Sequence, residues 1–131
     1  MTRAPRVTGI GGVFFKARDR VSLGDWYRRH LDIDVQDGGF ALFRWRDHQD
    51  PAREGATVWS LFPEHTEYFG SHDQRAMVNY RVVDLDAVLA PLRSEGVSVD
   101  ERVAESPEGR FGWITDPEGN RIELWQPPAG R

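Results

Sequence analysis

Two stretches of this chain follow one plan. GATVWSLFP (Gly55–Pro63) and GNRIELWQP (Gly119–Pro127) place a Gly, an apolar β-branched residue and a Pro at matching points, 64 residues apart in a chain of 131. A second pair, GVFFKARD (Gly12–Asp19) and MVNYRVVD (Met77–Asp84), repeats at an offset of 65. Both members alternate in side-chain character and end in Asp ahead of a helix-like stretch. Two matches at nearly one spacing make the chain two copies of a unit of about 60 residues. A repeat on this scale governs the architecture, because each copy buries its apolar face with the help of the other.

Length and composition narrow the class. One compact domain spanning 1–131 is the expectation, large enough to hold a core without disulfides or metal, with the halves sharing a sheet or packing face to face. The absence of Cys excludes a disulfide framework, thiolate metal ligands and a thiol nucleophile. A net charge of −4 and a pI near 5.5 argue against nucleic acid or an anionic membrane as the main partner. No stretch approaches the roughly 18 apolar residues of a membrane-crossing helix. The opening MTRAPRVTG carries no apolar run of a signal peptide, so a cytoplasmic protein is expected.

Local patterns give each copy the order β-α-β-β-β. Ile10–Ala17 reads as a strand with Val13, Phe15 and Ala17 on one face and Gly12, Phe14 and Lys16 on the other. Ser22 with Asp25 reads as a capping box for a helix running to about Leu31. A short strand near Ile33–Gln36, then Phe40–Arg46 and Thr57–Phe62, complete a first unit over 10–62, and 63–75 links the halves. The second unit, over 76–127, opens with the strand Ala76–Val83. Asp84 then caps a helix bearing Leu85, Val88, Leu89 and Leu92 on one side, closed by Gly96. Pro91 removes a backbone hydrogen bond inside that helix, which predicts a kink or an early end. Val97–Val103, Gly109–Thr115 and Asn120–Gln126 are the remaining strands, the last two joined by the type I turn pattern Asp116-Pro117-Glu118-Gly119.

This ordering, the Asp before each helix and the ending DPEGNRIELWQP resemble the vicinal oxygen chelate superfamily, over roughly Ile10 to Pro127. That group includes glyoxalase I, extradiol dioxygenases, methylmalonyl-CoA epimerase, fosfomycin-resistance transferases and bleomycin-binding proteins. The resemblance implies an α+β fold of two tandem βαβββ units forming a half-barrel with a central cavity, in a homodimer. It says less about the reaction, since this fold carries many chemistries.

In metal-dependent members each unit gives two ligands to one divalent cation. One lies on the first strand, seven residues before the Asp, and the other is usually the Glu of a GNxIEL pattern on the last strand. Carried onto this sequence, the first-strand positions are Gly12 and Met77. The last-strand positions are Glu123 and, through the 64-residue offset, Trp59; a slip of one residue would put Ser60 there. Only Glu123 suits a hard or borderline cation. Gly offers no side chain, the Met thioether suits soft copper(I), and an indole has no available lone pair. A catalytic metal needs about three protein ligands and an open position. The expectation is therefore no bound metal. The alternative is one divalent ion through Glu123, with further ligands from places such as His65 or His72.

Strand alternation puts Arg121, Glu123 and Trp125 on one face of the last strand. Glu123 reads either as a hydrogen-bond acceptor or general base in the cavity, or as half of a structural ion pair. Phe14, Lys16, Asn79, Arg81, Phe111 and Trp113 join the cavity face, where the aromatics either stack on a planar ligand or fill the hollow left by a missing metal. Trp59 and Met77 read as filler ahead of ligand contacts. Lys16 and Arg81 occupy matching points of the two copies and either hold a carboxylate or phosphate together or remain solvated or ion-paired. The leading expectation is a glyoxalase/bleomycin-resistance-type protein that binds a small aromatic or acidic molecule without metal. A metal-dependent lyase, isomerase or dioxygenase, and a metal-free acid/base enzyme using Glu123, are the alternatives.

Overall fold

The computed structural model describes residues 6–129. In chain order they form β1 (Gly9–Ala17), α1 (Arg20–Leu31), β2 (Phe40–Arg46), β3 (Glu54–Pro63), β4 (Ala76–Arg81), α2 (Leu85–Ser94), β5 (Ser98–Val99), β6 (Ala104–Ser106), β7 (Gly109–Thr115) and β8 (Arg121–Gln126). They group into two compact units. The first runs from Gly12 to Met77, and the second joins the residues up to Gly11 to the chain from Val78 onward. The boundary on β1 falls between two adjacent glycines, so that strand contributes to both units. No helix is long and apolar enough to cross a membrane.

In the first unit β3 lies between β2, its antiparallel neighbour, and β1, its parallel one. Asp19, not Ser22, caps α1. Its carboxylate accepts the Ser22 backbone N–H at 3.1 Å and the Ser22 hydroxyl at 3.0 Å, and its backbone is extended (φ −139°, ψ 99°) as an N-cap requires. The expected strand at Ile33–Gln36 shrinks to a single bridge, Gln36 to Phe40. Gly38 and Gly39 both take positive φ and turn the chain there before a ladder can form.

The register of β3 corrects the repeat. Phe14 pairs with Ser60 and Val13 with Trp59, whereas Asn79 pairs with Glu123. Phe14 and Asn79 correspond at the 65-residue offset, so the counterpart of Glu123 is Ser60. Trp59 faces α1 instead, its ring 4.9 Å from Tyr27 and 5.2 Å from Phe15. Matching the terminal prolines misplaces the alignment by one, and a one-residue slip turns every side chain to the opposite face.

In the second unit β8 lies between β4, parallel, and β7, antiparallel, and β7 also carries β5 and β6. Val82, Leu85, Val88, Leu89 and Leu124 form its core, with Tyr80, Ile114 and Ile122 packed against them. Asp84 caps α2 by accepting the Ala87 N–H at 3.2 Å. The helix does not stop early at Pro91 but runs to Ser94, where Val97 N–H to Leu92 O (3.0 Å) closes it around a left-handed Gly96. Burying Leu85, Val88 and Leu89 contributes about 1.5–3 kcal/mol each, which outweighs the roughly 3 kcal/mol of an interior proline. The expected strand Val97–Val103 shrinks to β5, and the short β6 lies beyond its end. Between them Asp100 accepts the Arg102 N–H at 2.9 Å, a side-chain turn that competes with strand pairing.

Candidate functional site

The apolar residues Ile122 and Leu124 of β8 join the α2 core, which leaves Arg121, Glu123 and Trp125 on the opposite face. Strand pairing then assembles the site. β7 sets Trp113 beside Glu123 and Phe111 beside Trp125, while β4 sets Asn79 beside Glu123 and Arg81 beside Trp125. Glu123 is 1% exposed. Its Oε1 accepts from Asn79 Nδ2 at 2.6 Å and its Oε2 from Trp113 Nε1 at 2.9 Å. Each carboxylate oxygen thus has a donor, which meets the requirement for burying such a group.

The Asn79 amide oxygen, buried and without a hydrogen-bond partner, lies against Gly11. A Cβ on Gly11 would fall 2.2 Å from that oxygen and 2.8 Å from the Trp125 ring. Only glycine fits, so Gly11 belongs to the site although the sequence reading did not name it. Its signal was a glycine inside a strand, which marks close approach by a neighbour.

Around Glu123 the aromatic and cationic groups interleave. Trp113 is buried and carries two guanidinium groups over its ring, Arg121 at 5.2 Å and Arg102 at 5.3 Å. Arg121 also contacts Asp100 at 3.3 Å. The Asp100 carboxyl is held below its ordinary range, first by the Arg102 backbone N–H and then by the Arg121 guanidinium. Trp125 donates to Glu108 O at 2.8 Å, stacks on Phe111 at 6.1 Å, and lies 5.0 Å from the Arg81 guanidinium. Phe111 and Trp125 are half-buried, so they, and not Trp113, are the accessible aromatic surface.

The residues picked out in the first unit have other commitments. Lys16 is buried, and its ammonium donates to the backbone carbonyls of His72 (3.1 Å) and Ser71 (3.4 Å) beside the Phe69 ring. It therefore anchors the segment that follows β3. The Phe14 ring packs on Phe62 at 5.2 Å and folds back over Gly12, where an added Cβ would meet it at 2.5 Å. Met77 is buried, Trp59 packs against Tyr27 of α1, and His65 and His72 are exposed.

The residues at the superfamily's ligand positions do not fit a divalent ion. The space at Gly12 is taken by Phe14, Ser60 and Met77 offer a hydroxyl and a thioether, and both oxygens of Glu123 already accept N–H donors. Among the described residues no three His, Cys, Asp or Glu come together as a metal site.

A family model described as a glyoxalase-like domain matches residues 12–125. The chain belongs to the glyoxalase-like domain family, within the vicinal oxygen chelate superfamily. No curated protein matches it. Solved structures share the α+β fold of this glyoxalase-like protein. Methylmalonyl-CoA epimerase from Mycobacterium tuberculosis is 23% identical, with 98% of this chain and 93% of that one covered and a TM-score of 0.61. A Streptomyces coelicolor methylmalonyl-CoA epimerase variant in complex with 2-nitronate-propionyl-CoA is 20% identical over 95% and 98%, with a TM-score of 0.70. An NAD-dependent benzaldehyde dehydrogenase structure from Legionella pneumophila is 14% identical over 87% and 96%, with a TM-score of 0.58. At such identities the likeness is one of fold.

Proposed function

We propose that this glyoxalase-like protein binds a small aromatic or acidic molecule on the β4–β8–β7 face without a bound metal. The observation that carries the reading is the state of Glu123, held in one orientation by Asn79 and Trp113 and flanked by Arg81, Arg121 and the Phe111–Trp125 pair. A carboxylate fixed this way offers acceptor oxygens of set orientation to a ligand hydroxyl or amine. The stacked rings offer a planar surface, and the guanidinium groups suit an acidic substituent. Melting-temperature shifts across aromatic acids, metabolites and antibiotics test it, since binding to the folded state stabilises by mass action. A ligand whose shift survives in Trp125→Ala and Glu123→Gln would place binding elsewhere.

A second reading is acid/base chemistry without metal, with Glu123 as the base that takes a proton from carbon. It is favoured by the same fixed carboxylate, and by the occurrence of the fold in epimerases. Glu123→Gln separates the two: loss of turnover with ligand affinity kept means an enzyme. A homodimer and a cytoplasmic location belong to the same proposal. The dimer is supported by Phe40, Leu42 and Phe43, exposed along the edge strand β2.

A further inference from the structure

We propose that Arg102, on the turn between β5 and β6, is an oxyanion-recognition residue that takes the carboxylate or phosphate of the ligand, with Arg121 as its neighbour. The inference rests on the site assigned above and narrows its occupant to an anion. Arg102 is exposed, yet its side chain does not lie free. The guanidinium sits 5.3 Å from the centre of the Trp113 ring, and that ring is immobilised by its bond to Glu123. A guanidinium held over a ring by its charge keeps N–H donors for bidentate capture of a carboxylate or phosphate.

The charges around it point the same way. Two carboxylates share this turn, Asp100 and Glu101, and the Asp100 side chain is engaged by the Arg121 guanidinium at 3.3 Å and the Arg102 backbone N–H at 2.9 Å. No ion pair joins the Arg102 guanidinium to a carboxylate of the described residues. The Glu123 oxygens face Asn79 and the indole N–H of Trp113. Two cations thus stand over one indole beside the anchoring carboxylate. Cations there offset the repulsion between Glu123 and a negatively charged ligand.

The test is titration of the intact protein with benzoate, phenyl phosphate, inorganic phosphate and neutral benzyl alcohol, followed by the side-chain Nε–H resonances of arginine in NMR and by calorimetry. Arg102→Gln, Arg102→Lys and, as a remote charge control on α2, Arg93→Gln are compared with the unaltered chain at fixed ionic strength. The expected result is an Arg102 resonance shifted by the aromatic anions. Their affinity should fall about tenfold or more in Arg102→Gln, less in Arg102→Lys, and not at all in Arg93→Gln, with benzyl alcohol indifferent to all three. Benzoate against phenyl phosphate tells which oxyanion is preferred. Equal effects of Arg102→Gln and Arg93→Gln, or benzyl alcohol binding as well as benzoate, would overturn the assignment. If benzyl alcohol binds in a Trp125-dependent manner while Arg102→Gln leaves the anions unaffected, the site stands and the Arg102 role falls. No binding of any probe removes both.

Discussion

Asn79 and Glu123 sit opposite each other across the parallel β4–β8 pair, and the amide of one donates to the carboxylate of the other at 2.6 Å with both side chains buried. Removing one member takes a buried hydrogen-bond partner from the other. Asn79→Leu is expected to cost about 1–3 kcal/mol, the desolvation of an acceptor left without its donor. Replacing both members by apolar residues of similar shape should cost less than the two single changes together. Urea unfolding of the two single variants and the double variant checks this; strict additivity would mean the pair is not coupled.

Gly11→Ala is expected to destabilise by about 1–3 kcal/mol, because its Cβ would overlap the Asn79 amide and the Trp125 ring, both closely packed. Gly96→Ala makes the useful contrast. Nothing lies within 4 Å of its added Cβ, so only the positive φ of 84° is penalised, at about 1 kcal/mol. In an Asn79→Ala background the Gly11→Ala penalty should shrink. An unchanged penalty would show that the clash lies elsewhere.

Acid stability should depend on the turn before β8. Asp116 accepts hydrogen bonds from the Asn120 side chain and backbone and from the Glu118 N–H, and these hold its carboxyl below the ordinary aspartate value of 3.8. A lowered folded-state value means stabilisation present above the unfolded value and lost as pH falls through the folded one. Unfolding free energy measured from pH 6 down to pH 2 should decline below about 4. Asp116→Asn, which keeps a turn-forming side chain, should flatten that acid limb. Parallel limbs in the two proteins would disprove the contribution.

Metal content offers a further check. Protein purified without an affinity tag should contain well under one equivalent of zinc, manganese, iron, nickel or magnesium by mass spectrometry. Added divalent ions should leave the melting temperature unchanged, because Gly12 and Met77 supply no hard ligand and Ser60 only a neutral hydroxyl. A stoichiometric metal lost in Glu123→Gln would refute the proposal.

Much of the site was legible in one dimension, for identifiable reasons. Alternation along β8 fixed which side of the strand Glu123 takes, because Ile122 and Leu124 have to meet α2. Misreadings arose where local preference met a competing contact. Ser22 satisfied a capping pattern, but Asp19 stood one turn earlier with a better acceptor. Lys16 read as either an anion ligand or a solvated or ion-paired cation, and the carbonyls of Ser71 and His72, far along the chain, take its ammonium instead.

The amino-acid order by itself determined the duplicated plan, the helix-facing and opposite sides of β1 and β8, and the paucity of metal-binding side chains. All three follow from residue type and short-range period. Tertiary structure alone decided the β3 register that exchanges Trp59 for Ser60, the room that Gly11 leaves for Asn79, and the meeting of Arg102 with Trp113. Those depend on contacts between segments distant in the chain. Their distances are set by how whole strands dock, which no local pattern encodes.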